Sequence, residues 1–210
     1  MAGITSSFAP TGKQIALTFD ACGGPGNNGI DQALIDLLIA EHVPATLFLN
    51  KRWVDADPVR VRLLAANPLF ELANHGVAHK PLSVTGRTAY RIAGTASPME
   101  AAEEMWANHE RLTELAGHPP RFFRPGTAHY DDIAVTIVNE LGATPLGFTI
   151  NADFGATASA TQVRHAMNTA QPGDITLAHM HRPNSGTATG MTSAIPALRA
   201  NGLTFIHVPP

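Results

Sequence analysis

The sequence predicts an α/β fold in which seven strands and the helices between them close into a distorted (β/α) barrel. Strand-like and helix-like segments alternate along the chain, which is typical of a parallel sheet covered by helices. The links between these segments are short, and polar residues follow directly after several strands. Because the carboxyl ends of parallel strands share one face of a barrel, those polar residues are expected to meet there.

The strands are predicted from short apolar or alternating runs that are bounded by turn residues. The seven candidates are Gln14–Asp20, Ala45–Asn50, Leu69–Ala73, Arg121–Arg124, Thr144–Ile150, Asp174–His179 and Leu203–Val208.

The helices are predicted from their start signals. Asp57 precedes a proline at the first helical position. Ser97–Glu100 and Ser159–Gln162 have the spacing of a capping box, in which the two side chains satisfy free backbone N–H groups. Two further helices are predicted over Asp131–Leu141 and about Met191–Ala200.

The composition favours one globular domain over residues 1–210, since 44% of the residues are hydrophobic and 15% are charged. A net charge of −3 argues against nucleic acid and anionic membrane surfaces as partners. Membrane insertion is not expected, because no run approaches the ~18 apolar residues that a span needs. The expected location is the periplasm or cell envelope if an export signal was removed, and otherwise the cytoplasm.

Candidate site residues lie where the predicted strands end. His75 and His79 are four residues apart, so on one helical turn both imidazoles could bind the same metal ion, although ten histidines also make an incidental pair common. Cys22 is interpreted as a small residue packed in a glycine-rich turn rather than as a nucleophile. The other candidates at strand ends are Asp20, Arg124, Asp153 and His179.

Five short motifs run in a recognisable order: TFDA, NHGVAH, FRPGT, NADF and TLAH. In this order they resemble the motifs of the NodB-homology polysaccharide deacetylases, carbohydrate esterase family 4. The resemblance covers about Lys13 to Pro209 and implies a distorted seven-stranded barrel of the NodB-homology type. It also implies a hydrolase of non-peptide carbon–nitrogen bonds that removes N-acetyl groups from an amino-sugar polysaccharide such as chitin or peptidoglycan. The implied cofactor is a divalent metal, usually zinc.

The resemblance also assigns roles to residues. Asp20 is implied as the general base, with Arg124 keeping it charged. His75 and His79 are implied as metal ligands. His179 is implied as the general acid, and Asp153 as the group that orients it. Leu177 is implied in the pocket for the acetate methyl, and the Thr127 backbone N–H as oxyanion donor. Phe154 and His181 are implied in the substrate groove.

One departure from the family pattern affects the mechanism. Ala21 stands where the family has a second aspartate, which is its third metal ligand. Asp20 itself, water or another rim group is the expected replacement, and Ala21→Asp is expected to restore a ligand. The rim groups considered are His129, Asp131 and His181.

Two alternative functions remain open at this stage. A metal-independent hydrolase of cyclic amides or imides would suit a site that lacks the third ligand. A non-catalytic carbohydrate-binding domain would result if the site had decayed. The joint presence of Asp20, Arg124, Asp153 and His179 argues against decay, because a drifting site has no reason to keep an acid–base pair together with both supporting charges.

Overall fold

The computed structural model describes residues 2–209 and contains eight strands and seven α-helices within that range. The strands are β1 (Gln14–Ala21), β2 (Ala45–Leu49), β3 (Phe70–Asn74), β4 (Phe122–Phe123), β5 (Thr144–Pro145), β6 (Ile150–Asn151), β7 (Ile175–His179) and β8 (Thr204–Ile206). The helices are α1 (Gln32–Ala40), α2 (Lys51–Ala56), α3 (Pro58–Ala65), α4 (Pro98–Ala116), α5 (Asp132–Glu140), α6 (Ala160–Met167) and α7 (Thr187–Ala200).

All the strand pairs of this sheet are parallel, in the order β5-β4-β3-β2-β1-β7-β6, and β8 pairs with the start of β1. The predicted (β/α) barrel is therefore confirmed. The seven predicted strand segments correspond to eight strands, because Thr144–Ile150 is divided between β5 and β6 at opposite edges of the sheet.

The division of this strand closes the barrel. The Leu146 N–H donates to the Phe123 carbonyl beside β4, whereas the Thr149 N–H donates to the Ile175 carbonyl of β7. The backbone therefore exchanges one partner strand for the other within a few residues and joins the two edges. An apolar run in the sequence does not reveal such a change of partner.

The predicted helix starts agree with the structure where a cap is readable. The Asp57 carboxylate accepts from the Arg60 N–H, the Ser97 hydroxyl accepts from the Glu100 N–H, and Ser159 forms a complete capping box. Helices α1 and α2 were not predicted, and α7 begins at Thr187 rather than near Met191. The backbone of α7 starts at Gly186 without a side-chain cap, so the sequence carries no capping signal there.

The hydrophobic core lies on both faces of the sheet. Along β1 the side chains of Leu17, Phe19 and Ala21 pack in the cluster shared with the helices, whereas Ala16 packs inside the barrel with Phe48. This alternation is the two-residue period of a strand. No helix of residues 2–209 is long and apolar enough to cross a bilayer.

Candidate functional site

A cleft of about 520 Å³ opens at the carboxyl ends of the central strands. Most of the predicted site residues line it, although they come from five separate stretches of the chain. Arg124 and Asp153 are the exceptions, because they are fully buried beneath the cleft floor. The predicted residues that line the cleft are Asp20, His75, His79, Thr127, Phe154, Leu177, His179 and His181.

The Asp20 carboxylate lies inside the barrel against the buried guanidinium of Arg124. Its Oδ1 accepts a hydrogen bond from the Arg124 Nη1 at 2.8 Å, and Arg124 also donates to the Thr18 hydroxyl and the Gly147 carbonyl. The guanidinium lies over the ring of Phe48, 4.1 Å from its centroid. Because Asp20 is 3% exposed and Arg124 is 0% exposed, the two charges stabilise each other out of water.

His179 is held by Asp153 through two of its own groups. The Asp153 Oδ1 lies 2.8 Å from the His179 Nδ1, and the Oδ2 accepts from the His179 backbone N–H at 2.7 Å. The Thr187 hydroxyl donates to the same Oδ2 at 2.8 Å. Sequence reasoning missed Thr187, since only the packing of the α7 start against Asp153 brings it there.

The buried carboxylate changes the acidity of this pair. Burial favours neutral imidazole, but the hydrogen bonds and charges of Asp153 and Cys22 together outweigh it, so the pKa of His179 lies well above its usual value. Burial likewise opposes ionisation of Asp153, but its contacts with His179 lower its pKa. Each group therefore favours the charged form of the other, an imidazolium beside a carboxylate.

The register of the sheet sets Asp20 beside His179. These two residues are direct partners in the parallel pairing of β1 with β7. Partners in register on neighbouring strands project on the same face. A carboxylate with a buried cation thus lies next to an imidazole with a buried anion, which is an arrangement suited to moving protons in opposite directions.

His75 and His79 lie side by side, with ring centroids 5.0 Å apart, but not on a helical turn as predicted. They belong to a loop after β3 in which Gly76 has φ +75° and His79 has φ +61°. The Glu104 carboxylate of α4 organises this loop by accepting backbone N–H groups from Val77, Ala78 and Lys80. A Cβ at position 76 would lie 2.7 Å from the Glu104 Oε1, so a larger residue there, already strained by its positive φ, would displace the carboxylate that organises the loop.

The His75 ring is oriented by its second nitrogen. Its Nδ1 lies 2.8 Å from the Arg124 carbonyl oxygen, which requires a proton on Nδ1 and leaves Nε2 free to bind a metal. That Nε2 lies 3.6 Å from the Asp20 Oδ2. Burial disfavours the charged ring, but the Asp20 charge, Cys22 and the Arg124 carbonyl together outweigh it and raise the pKa of His75.

The donor atoms of the cleft suit a metal ion, and Cys22 supplies one of them, although the sequence predicted only a packed small residue there. Within residues 2–209, the donors that meet within 4.8 Å of one another belong to Cys22, His75 and His79, and Asp20 lies outside this set. The Cys22 Sγ lies 3.8 Å from the His75 Nε2. Burial disfavours the thiolate, but contacts with His179, His75 and His79 outweigh it and hold the pKa of the Cys22 thiol well below its usual value.

Ala21 does not face the cleft. Its side chain is fully buried and packs in the core cluster on the helix side of the sheet. This position argues against the expectation that Ala21→Asp would add a metal ligand, because consecutive strand residues point to opposite faces, and the expectation stays a prediction. The two-residue period that places Asp20 in the cleft also points to Cys22, and this signal was available in the sequence.

The remaining predicted residues form the walls. Phe154 is 60% exposed at the rim, and Leu177 is 6% exposed on the floor. Thr127 lies on a tight turn with φ +69°. His181 lies beside His179, with ring centroids 5.6 Å apart, and burial lowers its pKa. The loop over residues 85–96 contributes Tyr90 and Ile92 to the same cleft.

Comparison with known proteins gives related sequences and folds. The chain is 27% identical over 199 residues to a bifunctional xylanase/deacetylase from Pseudobutyrivibrio xylanivorans, a match that covers 93% of this chain and 30% of that protein. It is 26% identical over 205 residues to a peptidoglycan-N-acetylglucosamine deacetylase from Bacillus cereus, covering 93% of this chain and 67% of that protein. The chain thus spans less than a third of the first relative's length.

Solved structures with this fold include a pseudoenzyme. A CE4 family pseudoenzyme from Bacillus anthracis superposes with a TM-score of 0.80 at 20% identity, over 97% of this chain and 66% of that one. A mutant of that protein with restored enzymatic activity superposes with a TM-score of 0.81 at 21% identity, over 97% of this chain and 68% of that one.

The family model for polysaccharide deacetylase matches residues 9–146. This stretch covers more than half of the chain and contains the first three of the five motifs, with Asp20, His75, His79 and Arg124. The predicted resemblance is confirmed, and the chain belongs to the polysaccharide deacetylase family.

Proposed function

We propose that this protein is a metal-dependent hydrolase that removes N-acetyl groups from an amino-sugar polysaccharide of the cell envelope. The observation that carries the proposal is the in-register pair of Asp20 and His179, each with its own buried counter-charge, beside the histidine donors of one cleft. Family membership and the printed activities of the relatives support the same reaction.

Asp20 acts as the general base in this proposal. Arg124 donates a hydrogen bond to Oδ1, so Oδ2 remains to accept a proton from the attacking water. A divalent ion bound by His75 and His79 would polarise the acetamide carbonyl and make that water more acidic.

His179 acts as the general acid. Asp153 engages Nδ1, which leaves the proton on Nε2 for the departing amine. The amine of the sugar must be protonated as the carbon–nitrogen bond breaks, because an amide anion is a poor leaving group. Asp153 stays ionised throughout and stabilises the imidazolium, while Thr187 fixes the carboxylate.

The walls suit a sugar chain. Phe154 and Tyr90 are 60% and 76% exposed at the rim, where aromatic rings can pack against the apolar face of a pyranose. Leu177 offers an apolar floor for the acetate methyl, and the Thr127 backbone N–H is the proposed oxyanion donor. His181 completes the groove beside His179.

Acetate release tests the proposal. Protein purified without added metal would be assayed for bound metal and then for acetate released from chitin oligomers and peptidoglycan, with and without a chelator. We expect release that the chelator abolishes and zinc restores. Chelator-resistant opening of a cyclic amide would favour the metal-independent alternative. Binding of either polymer without acetate release would identify a carbohydrate-binding domain and reject the proposal.

A further inference from the structure

The metal site lacks the carboxylate that the resembled family carries, and the chain offers a different donor one residue further on. Asp20 and Cys22 lie on the cleft side of the β1 end, while Ala21 between them packs into the core. Arg52 steadies this turn, because its Nη2 donates to the Cys22 carbonyl at 3.2 Å.

We infer that the Cys22 thiolate is the third protein ligand of this site and completes a cysteine–histidine–histidine donor set with His75 and His79. The catalytic use of such a metal rests on the proposed function. The distances between the donor atoms do not depend on that function. The Cys22 Sγ and the His75 Nε2 are 3.8 Å apart. Sulfur at ~2.3 Å and nitrogen at ~2.05 Å from one tetrahedral zinc ion are about 3.6 Å apart, so little movement is needed.

Two of the other candidate ligands, Asp131 and His129, are engaged elsewhere, and the His181 Nδ1 lies 3.4 Å from the Asp20 carbonyl oxygen. The Asp20 Oδ2 lies 3.6 Å from the His75 Nε2, but Asp20 does not belong to the set of donors that lie within 4.8 Å of one another. Asp131 caps α5 by accepting the Ala134 N–H at 2.8 Å, and its second oxygen accepts the Val84 N–H at 2.7 Å. His129 is exposed, and its Nδ1 lies 2.6 Å from the Thr127 carbonyl oxygen. Asp20 is bound to Arg124 through Oδ1.

This assignment has two chemical consequences. A thiolate is a soft ligand, and soft ligands favour zinc and cobalt over magnesium and calcium. The site should therefore select the first pair more strongly than a carboxylate site does. Asp20 also keeps an oxygen free for its role as base, since the third coordination position no longer falls to it.

Cobalt binding provides a test that does not depend on activity. Titration of the metal-free protein with Co²⁺ should produce a thiolate-to-cobalt charge-transfer band in the near ultraviolet. Cys22→Ser should abolish the band and weaken Co²⁺ binding by roughly 10–100-fold or more, since even the loss of an outer-shell partner has that effect. Cys22→Asp is the matched control: it should recover most of the affinity without the band.

The wild-type protein supplies a second readout that needs no variant. Cys22 is the only cysteine in the chain, so alkylation by iodoacetamide, followed by mass spectrometry, reports on this thiol alone. Zn²⁺ should slow the alkylation, whereas Mg²⁺ should not.

Four results bear on the inference in different ways. A Co²⁺ spectrum without the sulfur band, or alkylation unaffected by Zn²⁺, would overturn it. Hydrolysis that survives chelation but is stopped by alkylation would also overturn it and make Cys22 a nucleophile. The band in a protein that releases no acetate would uphold the ligand assignment and reject the proposed function.

Discussion

The two sides of the cleft are built from different kinds of backbone. On one side, Asp20 and His179 project from neighbouring central strands, and each has a buried partner of opposite charge. On the other side, the histidine donors and the substrate walls come from loops. Several non-glycine residues of these loops have a left-handed backbone, which is a strained conformation for them: His79, Tyr90, Thr127, Ala128 and Phe154.

The difference means that the fold fixes the two strand residues, Asp20 and His179, more firmly than the donors carried by the loops. The positions of Asp20 and His179 are set by a ladder of backbone hydrogen bonds, so they change only if the sheet changes. The loop donors depend on local devices such as the Glu104 carboxylate that gathers three N–H groups around the His79 loop. The donors carried by the loops can therefore change while Asp20 and His179 stay in place.

The strand side should account for most of the activity. Asp20→Asn and His179→Ala should each lower turnover by about 10²–10⁴-fold if they are base and acid. The exposed residues Asp36 and His118 allow the same substitutions outside the cleft, and these controls should retain wild-type rates. Acetate-release kinetics measure the effect, and wild-type turnover in both cleft variants would refute the roles.

Substitutions beneath the strand side of the cleft should also lower the free energy of unfolding more than substitutions at the surface. Arg124→Met leaves the buried Asp20 without its guanidinium partner, and breaking such a pair typically costs about 3–5 kcal/mol. Arg199→Met is the control, because the Arg199 and Glu41 side chains of that pair are 39% and 38% exposed and the change should cost at most about 1 kcal/mol. Urea unfolding of both variants decides the point, and equal losses would contradict the contrast.

A substitution at position 21 should change the stability of the core, whereas a substitution at position 22 should change metal binding in the cleft. Ala21→Asp buries an unpaired carboxylate and should lower the free energy of unfolding by a few kcal/mol without tightening zinc binding. Urea unfolding and a zinc titration measure the two effects. Tighter zinc binding in this variant, at unchanged stability, would mean that position 21 faces the ion after all.

The pH profile should report the Asp153–His179 pair. Since the acid must be protonated, activity should fall as pH rises through the raised pKa of His179. Asp153→Asn removes the charge that raises this pKa, so the alkaline limb of kcat should move to lower pH. The stability that this pair contributes should likewise be present below the ordinary histidine pKa and be lost as pH rises through the folded value. An alkaline limb that does not move in Asp153→Asn would assign the titration to another group.

The sequence by itself determined the succession of strands along the chain and the family to which the chain belongs. Apolar runs ending in Asp20, Arg124 and His179 predicted parallel strands with chemistry at one face, because strand ends of a barrel must meet. Five motifs in order predicted the family. These features are local or follow from a single topological rule, so a linear reading reaches them.

The tertiary structure alone decided the contacts that join distant segments. The division of Thr144–Ile150 between two partner strands, the Thr187 hydroxyl on Asp153 and the convergence of Cys22 with two loop histidines all depend on which surfaces pack together. The predicted helical turn for His75 and His79 was wrong for the same reason, because Glu104 on a different element gathers their loop. Spacing along the chain specifies directions within one element, whereas packing between elements specifies which donors meet.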